Sequence, residues 1–230
     1  MTIQPIAFFH SPFPSKFGIP KQSGLVGNLP GRIVFVPEWR NADALRGIEG
    51  FDYLWLLWEF SANRHAAASP VVRPPRLGGN RSVGVFASRS PFRPNPIGLS
   101  SVRLLSVEWE GGDGPVLHVL GADLMDGTPI FDIKPYIAYA DSHEGARSGF
   151  VDQHEWQSLQ VVFPDHLRSL IPAGLLPSLT EALALDPRPA YQKNPQKVYG
   201  MPFGEYDVRF LVEGDTLTVV DLVPLLGEGL

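Results

Sequence analysis

Residues 99–120 read LSSVRLLSVEWEGGDGPVLHVL, two β-like runs on either side of a glycine-rich turn, and their pairing decides the fold. Leu99 to Trp109 and Val116 to Leu120 are rich in branched apolar residues, while Glu110 to Gly114 carries three glycines and an aspartate. Glycine accepts the positive φ that tight turns demand, so the segment predicts an antiparallel hairpin. Similar short runs lie upstream and downstream at Ile3 to Phe9, Arg32 to Val36, Tyr53 to Phe60, Ser82 to Ala87 and Pro129 to Ile133. Gly and Pro clusters separate them at the spacing of an all-β barrel or sandwich. One short helix is expected over Ala42 to Arg46, with Asn41 as N-cap and Gly47 as terminator. Tyr53 to Phe60 is nearly continuous in large apolar residues, which fits a strand buried on both faces or one at a subunit interface.

From Asp141 to Asp152 the composition turns small, polar and charged, the mark of a connection between domains. Beyond it, Pro164 to Leu170 and Leu176 to Leu185 read as helices, and Tyr206 to Val212 and Thr216 to Val223 flank a second hairpin turn at Glu213 to Asp215. The expected organisation is mainly β: a β domain over residues 1–140, a linker over 141–155 and a small α+β domain over 156–230.

The 230 residues carry a formal net charge of -5, which argues against indiscriminate coating of nucleic acid but leaves room for a local basic face. Cysteine is absent, so no disulfide framework, thiolate metal site or cysteine nucleophile enters the argument. The first 30 residues lack the basic start and apolar run of a signal peptide, and no stretch is apolar enough to span a membrane, so a cytoplasmic location is expected. The six histidines show no metal-ligand spacing, and no metal is expected. Rossmann, P-loop and nucleophile-elbow fingerprints are missing as well.

Between Glu59 and Glu108 there is no acidic residue, yet Arg64, Arg73, Arg76, Arg81, Arg89, Arg93 and Arg103 fall there among Pro, Gly and Asn. Prolines 74, 75, 91, 94 and 96 fix φ and remove donors, which makes a stiff loop rather than a helix or central strand. Guanidinium forks on such a loop match carboxylates and phosphates, so the stretch is expected to bind an anion. A second cluster, Asp123 to Tyr136, follows the strand at Leu120 and is expected to gather Asp123, Asp126, Asp132 and Lys134 in one turn. Those carboxylates suit ribose hydroxyls or a cation, while an ordinary Asx-turn would explain the same residues. A third, Asp186 to Tyr191, ends a predicted helix with prolines and is expected to expose Arg188 and Tyr191 to an unstacked base and its phosphate.

The run RPPRLGG with Asn80, the segment Gly84 to Gly98, the Asp123 to Tyr136 cluster and the Asp-Pro-Arg-Pro-Ala-Tyr of 186–191 together resemble the TsaA-like family, TrmO in bacteria. The similarity runs from about Ile6 through Tyr191. It implies an S-adenosyl-L-methionine-dependent enzyme methylating N6 of threonylcarbamoyladenosine at tRNA position 37. The implied fold is a non-Rossmann β-barrel methyltransferase domain followed by a small α+β domain that contributes to tRNA binding, in a homodimer with the cofactor near the subunit interface.

Carried onto this chain, the resemblance implies a cofactor site of Pro20, Lys21, Gln22, Phe60, Ser61, Ala62, Arg89, Leu99, Asp123, Leu124, Met125 and Asp126. At Ser61 and Ala62 the chain departs from a His-containing version of the motif, which leaves a backbone role there. Arg76, Arg93 and Lys134 are candidates for the carboxylate of the modified base. Arg73, Arg76, Arg81, Asp186, Arg188, Tyr191 and Lys193 are candidates for the tRNA anticodon-loop surface. Asp126, Asp132 or Tyr191 is the candidate catalytic base, and the substrate's own carboxylate is a further candidate. The competing expectation is a non-catalytic dimeric module that binds S-adenosylmethionine or a nucleotide and regulates a partner; another is a methyltransferase acting on a small molecule.

Overall fold

The computed structural model describes residues 2–63, 69–74, 77, 81–152, 158–189 and 194–225. In chain order the first β layer contains β1 (Ala7–His10), β2 (Pro30–Phe35), β3 (Tyr53–Glu59), a two-residue ribbon of β4 (Val71–Val72) and β5 (Val83–Gly84), then β6 (Ile97–Glu108), β7 (Val116–Leu120) and β8 (Thr128–Pro135). Six of these close into a barrel in the order β1-β2-β7-β6-β3-β8, and every neighbouring pair is antiparallel. Closure leaves the barrel itself without an edge strand. The expected 110–114 hairpin joins β6 to β7, with Glu108 opposite Val116.

Burial alternates along β3. Leu54, Leu56 and Trp58 point into the barrel core, whereas Tyr53 is 44% exposed and Trp55 and Leu57 are half-buried. The expectation of burial on both faces is therefore corrected: the period of two survives inside an almost continuous apolar run. Outside, Tyr136 lies against Tyr53 and Trp55 with ring centroids 6.2 and 5.8 Å away. Inside, the Trp58 indole lies flush on the β6 backbone at Gly98, where any Cβ would come within 2.3 Å of the ring.

Two other expectations change in detail. The Ser82 to Ala87 run is a strand only at β5 and then tightens into a 3-10 turn over Val85–Ala87, because Ser88 Oγ donates back to the Val85 carbonyl. Ala42–Leu45 is likewise a 3-10 turn, with the Asn41 side chain accepting the Asp43 N–H at 2.9 Å. A single helical turn, α1 (Ala138–Asp141), falls where the sequence suggested the start of a connection.

The second layer contains β9 (Gln160–Val162), α2 (Asp165–Arg168), α3 (Leu176–Ala184), β10 (Tyr199–Phe203), β11 (Tyr206–Glu213) and β12 (Thr216–Pro224). Its sheet runs β10-β11-β12-β9, with β9 parallel to β12 and the rest antiparallel. Leu179 and Leu183 of α3 bury against Met201, Phe203, Val208, Phe210, Leu217 and Val219. β10 escaped the sequence reading because Gly200 and Pro202 break its strand signal; it is an edge strand, where proline is tolerated.

The long connection between β1 and β2 ties the two layers together. Phe13, Val26 and Leu29 leave the barrel sequence but bury in the second core, with Phe13 edge-on to Phe203 at 5.1 Å. Gly18, at φ 88°, passes so close to Met201 that a Cβ would sit 2.2 Å from its sulfur. Polar bonds fix both ends of the connection: Gly204 N–H donates to Pro12 O at 2.7 Å, Ser178 Oγ to Asn28 O at 3.0 Å, and Gly24 N–H to Gly121 O at 2.8 Å. Residues 16–25 are thereby held between the barrel end and α3.

Candidate active site

Where β7 ends, the chain turns through Gly121 to Gly127 before entering β8, and this turn carries two of the expected carboxylates. Ser11 Oγ donates to Leu124 O at 3.0 Å, Asp126 N–H to Phe13 O at 2.9 Å and Gly127 N–H to Phe9 O at 2.8 Å. These bonds staple the turn to the end of β1. Leu124, fully buried, anchors it in the barrel core.

Asp123 lies at the bottom. Ser100 faces inward from β6, donates its hydroxyl to Asp123 Oδ1 at 2.5 Å and accepts the Trp58 indole N–H at 3.0 Å. Asp123 keeps some solvent-facing surface as a residue, but its carboxyl group lies deep enough that burial pushes its pKa above the usual carboxylate range. Hydrogen bonds from Ser100, its own backbone N–H and the Ser23 N–H oppose that rise, as does the charge of Arg89. Arg89 in turn donates to Gln22 Oε1 at 2.6 Å. Gln22, Arg89 and Asp123, drawn from three distant segments, therefore meet.

Phe60 N–H donates to Pro96 O at 2.8 Å and the Phe60 ring packs on Trp58 at 4.4 Å, so the turn through Ser61 and Ala62 joins the arginine-rich loop at its base. Leu99 behaves differently: it lies on the outer face of β6 opposite Leu57, 55% exposed, while its neighbour Ser100 points inward to Asp123.

Beside this cluster a cleft of about 240 Å³ runs between residues 16–25 and the end of α3, lined by Phe17, Ile19, Pro20, Lys21, Asp186 and Arg188 among others. Arg188 grips Asp186 in a fork, Nε to Oδ1 at 2.8 Å and Nη2 to Oδ2 at 2.9 Å. The Arg188 side chain is only 8% exposed. Burial pushes Asp186 up, but the hydrogen bonds and charge of Arg188, with the charge of Lys21, carry it below the usual carboxylate range. The hydrogen bond from Arg188 to Asp186 raises Arg188. Lys21 keeps an open surface, yet crowding by the cleft walls lowers it against the attraction of Asp186.

Several expectations are corrected by this geometry. The three carboxylates and Lys134 do not share one turn: Asp132 and Lys134 are in strand β8, paired with each other at 2.8 Å. Arg188 is not displayed to solvent but folded onto Asp186. Arg93 turns back on its own loop, donating to the Ser88 and Ser90 carbonyls at 3.1 and 3.4 Å. Arg73 and Arg81 are exposed. Arg76, Tyr191 and Lys193 lie outside the described residues.

Sequence reasoning missed Ser100, Trp58, Ser23, Ser11 and His10. Ser100 had a readable signal, a small hydroxyl at an inward position of an alternating strand. His10 had none, since its partner Asp126 is 116 positions away.

The donor set suits S-adenosylmethionine, the cofactor that the sequence resemblance implied. That molecule presents an ammonium, a carboxylate, a ribose diol, a sulfonium and an apolar purine. A buried carboxylate with hydroxyl and amide partners but, among the described residues, no direct cation suits a diol or an ammonium. The Arg89 guanidinium suits a carboxylate, and the cleft walls offer apolar surface.

Comparison with known proteins identifies the family. The model of the tRNA-methyltransferase O N-terminal domain matches residues 8–142, and that of the TrmO C-terminal domain matches residues 157–225. The tRNA (adenine(37)-N6)-methyltransferase of Escherichia coli K12 is 39% identical over 227 residues, covering 95% of this chain and 96% of that protein. A putative S-adenosylmethionine-dependent methyltransferase, RcsF, of Pseudomonas aeruginosa is 39% identical over 231 residues, covering 96% and 97%. A crystal structure of TrmO from P. aeruginosa superposes with a TM-score of 0.77 at 32% identity over 97% of each chain. With both domain models matched and the similarity running nearly end to end, this chain belongs to the tRNA-methyltransferase O family.

Proposed function

We propose that the chain is an S-adenosylmethionine-dependent methyltransferase acting on N6 of the adenine at position 37 of tRNA, with threonylcarbamoyladenosine as the preferred base. The observation that carries this reading is the meeting of Gln22, Arg89 and Asp123 at the barrel end, beside the cleft walled by Lys21, Asp186 and Arg188. Relatives over the whole length are named as tRNA (adenine(37)-N6)-methyltransferase and as a putative S-adenosylmethionine-dependent methyltransferase.

When bound, the cofactor supplies a methyl group on a sulfonium. Asp123 and Arg89 would hold its polar ends, Gln22 keeps the Arg89 fork aimed, and Phe60 to Ala62 would close the site by backbone contact. The chain's own contribution to rate is positioning, since in-line alignment of an acceptor accounts for much of such a barrier. The exposed Arg73 and Arg81 belong to the surface that meets the anticodon loop, and the Asp186–Arg188 clasp shapes the cleft wall rather than touching phosphate.

The active unit in this proposal is a cytoplasmic homodimer. Leu99 supports it: this cofactor candidate faces outward on a wall that also exposes Tyr53, Ile97 and Ile137. A second copy seated on that wall would bring its own site residues to Leu99.

The test is incubation of the protein with labelled S-adenosylmethionine and tRNA that carries or lacks threonylcarbamoyladenosine, followed by nucleoside mass analysis. Methyl transfer to the modified base alone is expected, with tRNA affinity falling as salt rises. Transfer to plain adenine 37 would overturn the base preference only. Cofactor binding without transfer to either tRNA would favour a non-catalytic regulatory module.

A further inference from the structure

We infer that His10 is the proton acceptor of the reaction and that Asp126 is the positioning residue that orients it; the inference deepens the methyltransferase reading and rests on it. His10 is the last residue of β1, and its Nδ1 lies 3.1 Å from Asp126 Oδ1. The same oxygen accepts the Ser11 N–H at 3.1 Å, so the carboxylate is held by a backbone donor and cannot swing away from the ring. Bonded in this way, the neutral imidazole carries its proton on Nδ1, which leaves the Nε2 lone pair to accept another. The pair bridges the end of β1 and the turn that carries Asp123, three residues before Asp126, and Ser11 Oγ to Leu124 O closes the same junction.

This arrangement answers a need that the carboxylates alone do not meet. Asp126 Oδ1 is committed to the His10 ring and the Ser11 N–H, and Asp132 is paired with Lys134 on β8. Among the described residues, the charged groups placed beside His10 are Asp126 from the turn, bonded to its ring, and Arg32, paired with it across β2. On the β8 side, Thr128 and Pro129 pair with Phe9 and Phe8 and carry no charge. The His10 side chain is 39% exposed, so the ring is not sealed in the core.

In the step itself, the acceptor nitrogen gives its lone pair to the methyl carbon, whose bond to sulfur breaks with the electron pair staying on sulfur. The N–H proton passes to His10 Nε2, and Asp126 balances the imidazolium that results.

The test has two arms. In the first, nitrogen NMR of ring-labelled protein reads the His10 tautomer without any turnover; Nδ1–H is expected in the wild type, with loss of that preference in Asp126→Asn. An Nε2–H tautomer in the wild type would overturn the inference. In the second, His10→Ala is compared with wild type in methyl transfer at saturating tRNA. A fall in kcat of about 100-fold, with KM little changed and partial restoration by added imidazole, is expected. Undiminished kcat in His10→Ala, or a loss that imidazole does not restore while the melting curve stays native, would remove His10 from the chemistry. Absence of transfer by the wild type would instead count against the methyltransferase reading and leave the NMR arm to decide the pair.

Discussion

Two carboxylates flank the proposed site, and their surroundings treat them in opposite ways. Asp123, at the barrel end, has hydroxyl and backbone partners, feels Arg89 without a direct bond, and is pushed up by burial. Asp186, at the end of α3, is also partly buried, yet a forked guanidinium and the charge of Lys21 hold it down. Burial by itself therefore does not set the charge state; the kind of partner does. Asp123 is left with capacity for a ligand, while Asp186 is consumed by its own neighbour and acts as a clasp.

The comparison breaks most easily at Arg188. Arg188→Met leaves Asp186 without its guanidinium in a partly buried position and is expected to lower stability by about 3 kcal/mol in urea unfolding. A loss below about 0.5 kcal/mol would mean the clasp is ornamental. Asp123→Asn should cost no stability but weaken S-adenosylmethionine roughly 10- to 100-fold by calorimetry. Equal affinity in the variant would move the ligand away from the barrel end. Ser100→Ala removes the donor to Asp123 and the acceptor of the Trp58 indole, and a destabilisation of about 1–2 kcal/mol is expected.

The pH dependence sharpens the contrast, because the two shifts have opposite sign. Asp186 is depressed, so its contribution is present above the unfolded value of about 3.9 and is lost as pH falls through its lower folded value. Asp123 is raised, so its contribution is present below about 3.9 and is lost as pH rises through its higher folded value. The stability gap between wild type and Arg188→Met should therefore close in acid, and Asp123→Asn should gain on wild type as pH rises from 4. Urea midpoints between pH 3 and 7 read both, and parallel curves would show that the two carboxylates share one environment.

Much of this molecule was legible beforehand because its signals are local. The hairpin at 110–114 needs only glycines between two apolar runs, and Asn41 caps its turn through a neighbour two residues away. Arg89, Gln22 and Asp123 were identified as belonging together through resemblance, and the fold places them within reach. Arg188 departs from expectation because proline and arginine beside a helix end look like a displayed motif; only the position of Asp186, at φ 51°, reveals that the fork closes inward.

What the sequence alone determined was the β-rich class, the turn positions and the segments from which a site could be made, since these follow from side-chain periodicity and backbone permissiveness. Tertiary structure decided which of those segments touch. Ser100 meets Asp123 across 23 positions and His10 meets Asp126 across 116, because barrel closure and the connection between β1 and β2 converge at one end. Whether a carboxylate there is compensated or left with capacity depends on burial and on partners brought from elsewhere in the chain. Neither is a property of the residue or of its neighbours in sequence.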